Sequence, residues 1–285
     1  MKQWVYLLGT FCGISAVGCS VQPAATANGG GDAGATVMAM PDLRIPRDFA
    51  HDMTPPPSVA VTGIAVDEMG VPIADAFMSV CNPLGCHSVN ANESGGFIIP
   101  GIPVMNFGVR SHDDDSVSPV RGTVVRLFHP TVAGVVFDAG KMYVPSMPAG
   151  AALSGPVDAP QTLSPGDGLT ITFVQKDLDF PIGENKGRIA TRLIPPDHVP
   201  PYDLGGEQII AAYAFLPYST TSKSPVSVTA PVALPAGTVV HFRSVYEFDG
   251  RVSTPVTGHA ANDGKSVSTD PGTGLDNLTW LVISR

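Results

Sequence analysis

Three stretches of this sequence bring together residue types that do chemistry. Cys81-Asn82-Pro83-Leu84-Gly85-Cys86-His87 sets two thiols five positions apart, with an imidazole after the second. Such a pair can form a disulfide, and C-x4-C-H is also a stretched variant of the C-x-x-C-H run that attaches haem. His112-Asp113-Asp114-Asp115 concentrates carboxylates, the oxygen ligands that Ca²⁺ takes. Pro195-Pro196-Asp197-His198-Val199-Pro200-Pro201, with Asp203 just beyond, offers an imidazole and two carboxylates to a metal.

The local chemistry ranks these alternatives. Asn-Pro-Leu-Gly is turn chemistry, and the two cysteines sit at the feet of that turn, where paired strands approach to bridging distance. The expectation is a Cys81–Cys86 disulfide; haem would need an apolar pocket that a hairpin tip does not offer. Neighbouring residues of an extended chain point to opposite sides, so Asp113, Asp114 and Asp115 converge on a cation only in an irregular loop. EF-hand spacing is absent, and a solvated acidic loop is the expected state, as a rigid exposed loop is for His198. No cofactor or metal is expected, with Asp113, Asp114 and Asp115 kept as candidate ligands. Histidines His87, His129, His241 and His259 are scattered, and neither HExxH, a Walker A loop, C-x-x-C nor a G-x-S-x-G elbow follows residue 18. No residue set here demands a catalytic activity.

The elements that must position these residues are strands. From Gly63 to Val109 short apolar runs alternate with turns: Asp67–Gly70, the cysteine-flanked loop, Ser94-Gly95-Gly96 and Gly101-Ile102-Pro103. Phe97 and Ile99 share one face, as do Phe107 and Val109. Val124–Phe128 and Val132–Phe137 supply later strands, and Asp138-Ala139-Gly140 reads as a turn into a last strand at Met142-Tyr143-Val144. Pro145–Gly150 marks a boundary. Beyond it, Leu169–Val174, Arg188–Ile194, Ile209–Phe215, Val226–Ala230, Val239–Val245 and Leu278–Ile283 read as strands, with a single helical turn as the alternative for Ile209–Phe215. Trp280 alternates with Leu278 and Val282, which makes it a core residue. With 31 Gly and 28 Pro in 285 residues, long helices are disfavoured. The fold class expected is all-β, with two consecutive β-sandwich-like domains at 58–145 and 146–285.

The N-terminus adds a location. Lys2 precedes an apolar run too short to span a bilayer, ending at Ala16-Val17-Gly18-Cys19. This resembles the lipobox of bacterial lipoproteins. The resemblance implies a signal peptide at 1–18, a diacylglyceryl group on Cys19 and a membrane partner reached through that lipid. Residues 19–57, rich in Ala, Gly, Pro and Asp, are expected to be a disordered tether reaching ~30–40 Å. Removal of residues 1–18 takes Lys2 alone among the charged residues, leaving 15 basic against 25 acidic, a net charge of −10. That balance argues against a nucleic-acid partner.

Two further runs carry a second resemblance: Val59–Val66 into Gly70-Val71-Pro72-Ile73-Ala74-Asp75-Ala76, and Gly96-Phe97-Ile98-Ile99-Pro100-Gly101-Ile102-Pro103 through Val109. They are similar to the carboxypeptidase regulatory-like, or prealbumin-like, β-sandwich. The resemblance implies a structural or binding module with no catalytic residues. The expectation is a noncatalytic lipoprotein of the cell envelope, at the outer membrane or cell surface, acting as a structural, adhesive or ligand-binding module for a protein or glycan. The alternatives are an accessory subunit or inhibitor docking on an exported enzyme and, less favoured, a divergent hydrolase.

Overall fold

A computed structural model describes residues 57–111, 119–181 and 187–285. The signal segment 1–18, Cys19, most of the tether and the acidic run His112–Asp115, with Asp113, Asp114 and Asp115, lie outside the described residues. The regular structure of the described chain is strand apart from two 3-10 turns, with no α-helix, which agrees with the all-β expectation.

The first lobe packs two sheets face to face. One has the order β4–β1–β7, built from β1 (Ser58–Val66), β4 (Gly96–Pro103) and β7 (Val136–Tyr143). The other has the order β3–β2–β5–β6, built from β2 (Phe77–Asn82), β3 (Gly85–Asn90), β5 (Phe107–Ser111) and β6 (Arg126–Phe128). Between them lies a core that includes Val61, Met78, Val80, Phe97, Ile99, Ile102, Phe107, Val109 and Met142, so the expected alternation of Phe97 with Ile99 and of Phe107 with Val109 holds. Asp138-Ala139-Gly140 is not a turn. It is a bulge inside β7: Thr62 pairs with Asp138 but Ile64 with Lys141, so β7 carries one extra residue. Gly140 takes φ +60° there, and its N–H donates to Asp138 Oδ1 at 2.7 Å.

The second lobe is one 13-stranded sheet curled on itself. Its main path runs β8 (Ala151–Ala152), β12 (Arg188–Leu193), β13 (Ile209–Leu216), β20 (Trp280–Ser284), β15 (Val239–Tyr246), β17 (Val256–Ala260), β18 (Val267–Thr269), β14 (Thr220–Ala230), β10 (Leu169–Val174) and β9 (Pro160–Gly166). The short strands β11 (Leu178–Asp179), β16 (Arg251–Val252) and β19 (Leu275–Leu278) pair at its margins. The curl encloses Leu169, Ile171, Phe173, Phe215, Val228, Phe242 and Ile283. Ile209–Phe215 is therefore a strand and not a helical turn. Tyr213 and Phe215 point inside the curl, while Ala212 and Ala214 face outward.

That outward face is a third core. Val124, Val125, Tyr143 and Met147 pack there with Ala190, Ile194, Ala212, Ala214, Tyr218, Val245, Trp280 and Val282, so the cluster draws on residues from both sides of Pro145–Gly150. Trp280 is fully buried in it, beside Val282 as expected. Leu278 is not on that face: the backbone bends at Thr279, and Leu278 falls inside the curl. The lobes approach closely here. A Cβ on Gly108 would lie 2.8 Å from Glu247 Cα, and one on Gly250, whose φ is +57°, would lie 2.6 Å from the Phe107 nitrogen.

Candidate functional site

A cleft of about 520 Å³ opens where the outer face of the first lobe meets the Pro195–Pro201 loop of the second. Residue chemistry shapes both walls. On one side Asp67 accepts the N–H groups of Met69 and Val71, both at 2.9 Å, which fixes the Asp67–Gly70 turn and places Glu68 and Met69 at the rim. Lys141 and Tyr143, two residues apart on β7, look out from the same face. On the other side Pro196–His198 forms a 3-10 turn, with His198 N–H donating to the Pro195 carbonyl at 2.9 Å. The flanking prolines fix φ and stiffen this wall.

Most charged groups of the cleft already have partners. His198 Nδ1 and Asp197 Oδ1 lie 2.9 Å apart, and the His198 ring packs on Tyr143 with centroids 4.4 Å apart. The hydrogen bond from His198 holds the Asp197 carboxyl below its usual range. Burial opposes the charge of Glu68, but the bonds from Ser146 and from its own backbone, with the charge of Arg121, outweigh it and lower its pKa. Arg126 donates to the Ala139 carbonyl at 2.6 Å. Two groups remain: the Lys141 ammonium and the Tyr143 hydroxyl meet no hydrogen-bond partner among the described residues. Burial, then the charge of Glu68, raise the Tyr143 pKa, so this hydroxyl stays protonated and donates.

Two other charged clusters lie outside the cleft. Glu207 receives Arg243 at 2.7 and 3.0 Å, Ser284 at 2.7 Å and His241 Nδ1 at 2.9 Å. Serine and histidine both address the carboxylate and the serine hydroxyl is not on the imidazole, so this is no nucleophile–base relay. Between the lobes Arg110 pairs with Glu247, which also receives the Tyr218 hydroxyl at 2.7 Å, and the guanidinium stacks over the Tyr218 ring at 4.5 Å.

The residues singled out from sequence are dispersed. Cys81 and Cys86 oppose one another across β2 and β3 and are joined in a disulfide. His87 is exposed on β3, outside the cleft lining. Asp203 does not join Asp197 and His198; its Oδ1 accepts the Gly205 N–H at 3.1 Å, closing its own turn. No group of three metal-ligating side chains occurs among the described residues. Sequence reasoning missed Glu68, Lys141 and Tyr143. Their only signal was position, at the turn and at the end of the strand where the sandwich meets the second lobe.

No protein-family model matches the sequence, and no curated protein matches it significantly. Among solved structures, the chain is similar to BcpA, the major pilin subunit of Bacillus cereus, with 11% identity over 75% of this chain and 85% of that one and a TM-score of 0.23. It is also similar to a Bacteroides uniformis protein described as carbohydrate-binding, with 10% identity, 80% and 98% coverage and a TM-score of 0.21. A third is the RrgB pilus protein of Streptococcus pneumoniae, with 12% identity, 81% and 62% coverage and a TM-score of 0.20. Superpositions this loose carry no argument about the cleft.

Proposed function

We propose that this chain is a noncatalytic ligand-binding module of the cell envelope, held to a membrane by lipid on Cys19 and taking its ligand in the cleft above β7. The observation that supports this reading is the state of the cleft side chains. A concave site with stiff walls holds carboxylates, an imidazole and a guanidinium that are engaged with one another or with backbone, beside two donors that are not. No serine, threonine or cysteine stands among its lining residues, so it offers no nucleophile of the Ser-His or Cys-His kind. The lipid rests on Ala16-Val17-Gly18-Cys19, and the exported setting agrees with the Cys81–Cys86 disulfide.

A second reading uses the same cleft. Asp197–His198 is an acid–imidazole couple of the kind that activates water. Asp197 is 78% exposed, which leaves this couple in water and removes the low-dielectric setting that makes such a base effective.

One set of variants tests both. On the full chain, Val199→Arg fills the cleft and is expected to abolish binding on a glycan array while keeping the β circular dichroism, with some loss of Tm because Val199 packs on the third core. Cys19→Ala is expected to release the protein from membranes and end palmitate labelling. Wild-type protein that neither labels nor sediments with membranes removes the anchor from the proposal. Turnover of an ester or glycoside panel that disappears in His198→Ala would replace the binding reading with the hydrolytic one.

A further inference from the structure

We infer that the cleft selects a carboxylate-bearing sugar, an acidic glycan unit whose carboxylate meets Lys141 and the Tyr143 hydroxyl. The inference rests on the cleft being the binding site. Its own argument is the inventory of hydrogen-bonding groups left for a ligand.

The unengaged groups that line the cleft are donors: Lys141 at its exposed edge and Tyr143 further in. Lys141 offers three ammonium N–H bonds and no acceptor. Tyr143 is 4% exposed, yet its hydroxyl has no hydrogen bond among the described residues while the residue lines the cleft. The hydroxyl is not one of the enclosed polar atoms left without a partner, so it opens into the cleft, where a ligand can accept from it. Lys141 and Tyr143 project from the same face of one strand. The chain thus presents two neighbouring donors on one strand face, one of them cationic, and a carboxylate is the acceptor that can answer both with charge-assisted bonds. The cleft carboxylates cannot take the place of that ligand, because Glu68 is turned to the Ser146 N–H and Asp197 to His198.

The rim points to a sugar. Asp197 uses Oδ1 on His198, which leaves Oδ2 to accept a hydroxyl. The rest of the wall is apolar and rigid: Met69, Val199, Pro200 and Pro201 beside the His198 ring. A carboxylate at the Lys141–Tyr143 pair, hydroxyl groups toward Asp197 and C–H faces against prolines and imidazole describe a uronic-type acid. A peptide carboxyl terminus would answer the donors but would bring no ring hydroxyls to Asp197.

The test is calorimetric titration of the full chain with digalacturonate, its dimethyl ester, neutral digalactose and the dipeptide Ala-Ala. Digalacturonate is expected to bind at least about tenfold more tightly than the ester or the neutral sugar, the usual scale for one charge-assisted contact. Lys141→Gln is expected to remove that preference, Lys141→Arg to keep most of it, and Tyr143→Phe to weaken the acid alone. Equal affinity for acid and ester overturns the inference while leaving the cleft as the binding site. Ala-Ala binding as tightly as digalacturonate overturns the sugar assignment. Sugar binding that survives Val199→Arg overturns the cleft reading itself, and binding of none of the four probes overturns the present inference.

Discussion

Among the described residues two glutamates form ion pairs with arginines, Glu247 and Glu207, and their carboxyls are shifted in opposite directions. Glu247 lies 2% exposed between the lobes, and burial lifts its carboxyl above the usual range against the charge of Arg110 and the bonds from Tyr218 and Ser219. Glu207 stands at the rim of the curled sheet. There the Arg243 bond first, helped by Ser284 and His241, outweighs partial burial and lowers its carboxyl to about 2. The partners are alike and the access of water is not. A carboxylate with water nearby keeps most of its hydration and gains its partners, whereas one enclosed by two lobes loses its hydration first. The lobe junction is therefore more sensitive to the loss of either charge than the rim is.

The largest effect follows at the junction. Glu247→Ala leaves Arg110 enclosed without a counter-charge and is expected to cost about 3–5 kcal/mol in urea unfolding, while Arg110→Met with Glu247→Leu recovers most of it. A single-mutant cost below about 1 kcal/mol would erase the contrast between the two glutamates.

A second experiment sharpens the role of the junction. We propose that residues 58–145 and 146–285 are separate folding units, because each has a core of its own beside the shared third one. An isolated 58–145 fragment is expected to keep its β circular dichroism. It is also expected to bind a hydrophobic dye through the exposed Val124, Val125 and Tyr143. An unfolded fragment would show that the shared core is indispensable and that the division at 145 is misplaced.

The smallest effect is at the rim. A carboxyl depressed in the folded state contributes stability above its unfolded value of 4.5, and that contribution is lost as pH falls from there toward about 2. Glu207→Gln is expected to lower stability at pH 7 and to flatten this acid limb relative to wild type. Parallel curves for the two proteins below pH 5 would mean that Glu207 is not held by its partners.

The all-β class, the main strands and the cysteine hairpin were legible in the sequence because they depend on short-range rules. Period-2 alternation put Phe97 with Ile99 and Phe107 with Val109 on the core. Asn82-Pro83-Leu84-Gly85 brought Cys81 opposite Cys86. Legibility failed where a local rule had two outcomes. Asp138-Ala139-Gly140 has turn composition, yet β1 holds it in register as a bulge. The alternation from Leu278 to Val282 is broken by the bend at Thr279, which only the packing of the two faces reveals. The first half of β14 and all of β9 carry too few apolar residues to register as strands, and their neighbours hold them by ladder bonds.

The sequence by itself determined which segments could be strands, where the chain must turn and that Cys81 could reach Cys86, since each follows from residues close together in the chain. Only the tertiary structure decided which of those strands share a core, that Glu247 meets Arg110 across 137 positions of sequence, and that Glu68, Lys141 and Tyr143 face the Asp197–His198 turn across a cleft. These are long-range juxtapositions between two lobes. They are set by how the apolar outer face of the curled sheet is buried against the sandwich, and no spacing within the sequence encodes that.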